Sequence, residues 1–203
     1  MSTALTATRF VTLMHNAGVR TKYYDGWQTR NRNAGRSYGD MHGVMLHHTV
    51  TRDVQRTISI VKDVGQPEND VPPPLYNGVI DKSGLLHVIG WGRANHAGLG
   101  DDDVLRAVTA EHYPLPAPNE LNTDGNAHFY GFAGINMGDG KDPWPAAQLQ
   151  TMAEVAGIIC RADGWTEKSC IGHLEWQRGK IDPHFSGGSL MPHLRQLVHE
   201  VTS

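Results

Sequence analysis

A single α/β domain is predicted by three features of this chain. Segments of helical period alternate with short apolar strand runs, no linker separates two cores, and 203 residues are enough for one well-packed interior. Residues 3–17 set Leu5, Phe10, Leu13 and Met14 on one helical side and end at Gly18. Residues 21–40 are polar, with Arg30, Arg32 and Arg36 among Asn and Gly, and read as irregular approach chain. Residues 1–40 are thus expected as an N-terminal extension packed on a domain spanning 41–203.

Residues 43–51, GVMLHHTVT, form a strand whose Val44, Met45 and Leu46 suit a buried sheet. Thr51 is the expected N-cap of a helix that carries Val54, Ile58 and Val61 and stops near Gly65. Residues 66–75, with Pro67 and the run Pro72-Pro73-Pro74, must be extended loop. The strand-like runs 76–81 and 85–89 flank Lys82-Ser83-Gly84, a hairpin signature. Residues 101–112 read as a helix with three aspartates at the end where the dipole favours them. Residues 129–137, FYGFAGINM, form a glycine-interrupted strand, and 145–162 a long helix with Leu149, Met152, Ala156, Ile159 and Cys160 inward, stopped by Gly164. A short strand at 169–173 and a closing helix at 192–201, with Leu194, Leu197, Val198 and Val201 inward, complete the fold.

Composition excludes several classes. With 39% hydrophobic residues and no long apolar run, no membrane span is expected. Eighteen basic against 21 acidic side chains give no bias toward nucleic acid or an acidic membrane. The start of the chain, with one early arginine and a broken apolar pattern, does not read as a signal peptide, so synthesis in the host cytoplasm without one is expected. Two cysteines are too few for a disulfide scaffold, and Cys160 and Cys170 are expected as a buried, reduced pair.

Chemistry gathers at three distant places. Alternation along a strand puts His47 on one face with Met45 and Thr49, and His48 on the other with Leu46. At most one of the pair looks into a site. His47, His173 and Asp182, on separate strand ends and the chain beyond, make a set of the kind that holds catalytic zinc: three ligands, with a fourth position left for solvent. Lys180 lies two residues before Asp182 and is open to two readings, a surface side chain or a group that stabilises an oxyanion. Trp91, Trp144 and Trp176 are open to stacking on a sugar or to plain packing, with packing the default.

The ordered set LHHT, LYNGVIDKSG, NHAG and IGHLEWQRGKIDP resembles the zinc-dependent N-acetylmuramoyl-L-alanine amidases, a superfamily that includes phage lysozyme-type amidases and animal peptidoglycan recognition proteins. The resemblance implies a central mixed sheet flanked by helices, with a groove over one zinc ion per chain that accepts a peptidoglycan stem peptide. It implies His47, His173 and Asp182 as metal ligands, with Asp182 in the branch that uses aspartate rather than cysteine. It implies Lys180 and Tyr76 as catalytic, the phenol serving as a proton donor. It places His96 of the NHAG loop in the groove, and Asn136 where it can hydrogen-bond a substrate. One departure is plain: the family glutamate that acts as general base falls on Ala133 or Asn136, and neither accepts a proton. The expected function is hydrolysis of the amide between N-acetylmuramic acid and L-alanine by a monomeric phage endolysin that reaches the wall once the membrane is breached, without nucleic acid or membrane partners. The alternatives are a non-catalytic peptidoglycan-binding module and a cytosolic amidase of soluble muropeptides.

Overall fold

The computed structural model describes residues 4–35 and 37–203. Thr3, at the expected start of the first helix, and Arg36, among the loop arginines, lie outside the described residues. Helix α1 (Ala7–Asn16) is capped by Thr6, whose hydroxyl accepts from the Arg9 N–H, and it buries Phe10 and Met14. Strand β1 (Thr21–Tyr23) follows. By sequence this stretch reads as irregular chain, because three residues are too few to show a period. The strand exists through its pairing: it lies parallel to β4 (Leu86–Val88) at the edge of the sheet.

The sheet contains β1, β4, β3 (Gly78–Ile80), a central strand from Phe129 to Gly134, β2 (Gly43–His48) and a last strand from Cys170 to Gly172, in that order. Only the β3–β4 hairpin is antiparallel, so the sheet is mixed, as expected. The two-residue pairs β5 (Leu99–Gly100) with β6 (Thr123–Asp124), and β9 (His184–Phe185) with β10 (Gly188–Ser189), stand apart from it. In chain order the central strand is β7 and the last sheet strand β8.

Helix α2 (Val54–Ser59) is capped by Asp53, whose carboxylate accepts from the Arg56 N–H at 2.7 Å. Thr51, the expected cap, instead shares its hydroxyl with Thr49 and Thr57. The helix ends in a π-helical turn, Ile60–Val64, before Gly65. Helix α3 (Asp102–Thr109) is capped by Asp101. The long α4 (Ala146–Asp163) ends at Gly164, whose φ of +77° is the left-handed conformation that stops a helix cheaply. The short α5 (His173–Trp176) follows β8 at once, and α6 (Met191–Thr202) closes the chain.

The sheet's two faces differ. One carries Val44, Leu46, Tyr130, Phe132 and Cys170, and α1, α4 and α6 close over it to form the main core. Burial of each Leu, Ile or Met side chain there is worth about 1.5–3 kcal/mol. The other face carries two smaller apolar clusters. Met45, Phe129 and Ile171 pack with Trp176 and α3, and Val79 and Ala133 pack with Ile58 and Val61 of the α2 region. His47 takes the place between these clusters, level with Ala133 of β7. Period-two alternation thus puts His47 on the thinly covered face, as the sequence implied, while the His48 ring lies beside Gly138 and lines the edge of the groove. Cys160 and Cys170 are buried and unbridged, Trp91 and Trp176 are core residues, and Trp144 lies half-buried. Among the described residues, no helix is long and apolar enough to cross a membrane.

Candidate metal centre and groove

Three side chains meet at the middle of that face. His47 comes from the end of β2 and His173 from the first residue after β8. Asp182 is brought back to them because its carbonyl accepts from the Leu174 N–H at 2.9 Å, tying the returning chain to the start of α5. One ligand atom from each lies within 4.8 Å of the others, and all three residues are largely shielded from solvent. The Asp182 Oδ2 atom is 2.8 Å from His47 Nδ1 and 3.3 Å from His173 Nδ1.

The proton positions follow from the outer partners. His96 Nε2 lies 3.0 Å from the Phe129 carbonyl oxygen, an obligate acceptor, so this nitrogen carries hydrogen. Burial holds His96 well below the ordinary imidazole pKa, and its Nδ1 therefore presents a lone pair. That lone pair faces His47 Nε2 at 3.1 Å, which must be the N–H. His173 Nε2 lies 3.1 Å from Gln177 Oε1 and donates to it. Both Nδ1 atoms are aimed at the same carboxylate oxygen. Burial lowers the His47 pKa to about 4 against the pull of Asp182, so the ring is neutral near pH 7. Burial alone would raise the Asp182 carboxyl, but its contacts with His173 and His47 outweigh that and hold it well below the carboxylate range. His47 Nδ1, His173 Nδ1 and Asp182 Oδ2 converge closely enough for one cation to take the place of the contacts they make with one another. The donor set N, N, O fits a zinc ion, whose ligands must be deprotonated to bind.

The corner opens into a cavity of about 520 Å³. Tyr76 and Lys180 both line it. The Tyr76 ring centroid is 5.2 Å from that of His47, although Tyr76 precedes β3 rather than opening it. Burial, with Asp182 adding to it, raises the Tyr76 phenol above its ordinary range, so it stays protonated. Lys180 is exposed at the mouth. The acidic residues lining the cavity are Asp70 and Asp182.

One expectation needs correction. Asn136 is fully buried away from the groove: its amide donates to the Asp142 and Pro143 carbonyls and accepts from the Gly138 N–H, so it ties down its own loop. β7 ends at Gly134, before Asn136, although the Ile135 N–H still donates to the Ile80 carbonyl. His96 does line the groove, but both ring nitrogens are engaged by protein, which leaves none for a substrate. Ala133, the other position considered for the missing glutamate, is buried among Val79 and Ile135. Sequence reasoning missed Gln177 and Asn126. Gln177 lies within the quoted IGHLEWQRGKIDP motif, one helical turn after His173, and that spacing was the available signal.

The sequence profile described as N-acetylmuramoyl-L-alanine amidase matches residues 37–185, most of the chain. No curated protein sequence matches significantly. Among solved structures, the amidase LysC from Clostridium intestinale aligns over 87% of this chain and 95% of its own, at 14% identity and a TM-score of 0.58. The Staphylococcus aureus hydrolase AmiA, solved with its ligand, aligns over 100% and 93%, at 11% identity and 0.57. Drosophila PGRP-LB aligns over 89% and 95%, at 13% identity and 0.55. Those likenesses concern the fold; the profile match, spanning the strand of His47 and continuing past Asp182, places this chain in the N-acetylmuramoyl-L-alanine amidase family.

Proposed function

We propose that the chain is a zinc-dependent amidase that hydrolyses the bond between the lactyl group of N-acetylmuramic acid and the L-alanine of the stem peptide. The observation that carries this reading is the convergence of His47 Nδ1, His173 Nδ1 and Asp182 Oδ2 beneath an open groove that His173 and Asp182 line. These three residues would hold the ion, and zinc there supplies a Lewis acid that activates water and polarises a carbonyl. The chain's own residues do the rest. Lys180 sets an ammonium at the groove mouth, placed to stabilise the oxyanion that develops as the amide carbonyl becomes tetrahedral. Tyr76 keeps its proton and so acts as a donor to the departing alanine nitrogen rather than as a base. Arg32 and Lys180, both lining the groove, favour a substrate bearing carboxylates.

We place this activity in a phage endolysin that acts on the polymeric wall, in keeping with the endolysins among its structural relatives. Reverse-phase analysis of digested peptidoglycan, with and without chelator, tests the chemistry. New L-alanine amino termini without new reducing sugar ends are expected, and chelator should abolish them. Binding to walls without any release would indicate a receptor instead. Faster turnover of soluble muropeptides than of intact walls would favour a recycling enzyme.

A further inference from the structure

We infer that His96 is a positioning residue for the metal centre: its ring fixes the tautomer of His47 and thereby aims the His47 Nδ1 lone pair at the place of the ion. This rests on the zinc reading above. The ring is held from four sides. Its Nε2–H is anchored on the Phe129 carbonyl, and its Nδ1 meets His47 Nε2 at 3.1 Å. Its own backbone N–H and that of Ala97 both donate to Asn126 Oδ1, at 2.8 and 2.7 Å. Beneath it lies Gly131 of β7, where a Cβ would stand only 2.3 Å from the ring.

The logic is one of donors and acceptors. The Phe129 carbonyl can only accept, so the His96 proton sits on Nε2. In a ring carrying that one proton, Nδ1 keeps its lone pair and faces His47 Nε2 at 3.1 Å. His96 Nδ1 is therefore an acceptor, His47 Nε2 the donor, and His47 Nδ1 bare. A free imidazole would distribute its proton between both nitrogens. Beside Asp182 it would favour Nδ1–H, the form that cannot take a metal at that atom. His96 removes that choice. His173 is oriented more loosely, by the amide of the half-buried Gln177. The two histidine ligands thus have unequal supports, one rigid and one adaptable.

The test uses the full chain labelled with ¹⁵N-histidine. Two-bond ¹H–¹⁵N spectra of the metal-free protein should show both His47 and His96 protonated at Nε2. Hydrogen on His47 Nδ1 would overturn the inference, and this measurement requires neither metal nor mutation. In a chelator competition, His96→Leu should weaken zinc binding about ten- to a hundredfold. His96→Asn, whose amide oxygen can accept from His47, should recover part of that loss. Zinc affinity unchanged in His96→Leu, or no recovery in His96→Asn, would count against the role. If His96→Leu fails to fold, the wild-type tautomer and the His96→Asn affinity decide. A wild-type chain that takes up no zinc refutes the metal centre itself, whereas zinc uptake indifferent to His96 refutes only its positioning role.

Discussion

The floor of the groove and its mouth are built on opposite plans. On the floor, His47, His96, His173 and Asp182 are joined to one another or to protein acceptors through every ring nitrogen and one carboxylate oxygen. From the wall to the mouth, the Tyr76 hydroxyl and the Lys180 ammonium have no hydrogen-bond partner among the described residues. The difference separates two tasks. Groups that hold an ion must be deprotonated and fixed before it arrives, and a closed network does that. Groups that act on a substrate are of use only if the protein leaves their donors free to meet it.

Breaking the floor should have the largest effect. Asp182→Ala removes the one anionic ligand and leaves two neutral imidazoles; zinc content measured on the purified protein should fall to baseline and hydrolysis to background. Stoichiometric zinc in that variant would mean a different ligand set. Changing the mouth should leave the metal in place. Lys180→Met should retain zinc while kcat falls about 10²–10³-fold, the cost typical of losing one oxyanion-stabilising group. Parallel loss of metal would show that floor and mouth are not separable. Tyr76→Phe should cost less, about 10²-fold in kcat, again with zinc retained. A Tyr76→Phe chain as fast as the parent would assign proton delivery to another group.

The same division explains how far the sequence could be read. The candidate ion-binding set is legible because its positions follow from periodicity: alternation along β2 separates His47 from His48, and the strand that ends at Gly172 delivers His173 to the same side. Asp182 was legible through its motif. The supports were less so. The motif places His96 in the groove but does not give the direction of its ring, which is set by Phe129 and Gly131, more than thirty residues away. Asn136 was misplaced because β7 stops at Gly134, and nothing within FYGFAGINM marks where the ladder ends. Strand β1 has no sequence signature at three residues; it is defined by β4, some sixty positions downstream.

The smallest effect concerns the metal-free chain and bears on the charge state of the floor. Burial lowers the His47 pKa from 6.5 to about 4. Between those values the unfolded chain takes a proton at His47 that the folded chain refuses, so stability falls as pH drops through this window. Asp182, held below its ordinary range, works in the same direction at lower pH: the unfolded carboxyl protonates first, near pH 3.9, and stability is lost on further acidification. Calorimetric Tm values with chelator present should therefore decline from pH 6.5 toward 4, and His47→Gln should flatten that part of the curve while leaving the loss below it. A flat profile in the parent chain would mean that the folded floor accepts a proton between His47 and Asp182. His47 would then be a cation, the carboxylate would be paired without any ion, and zinc would have to displace a proton to enter.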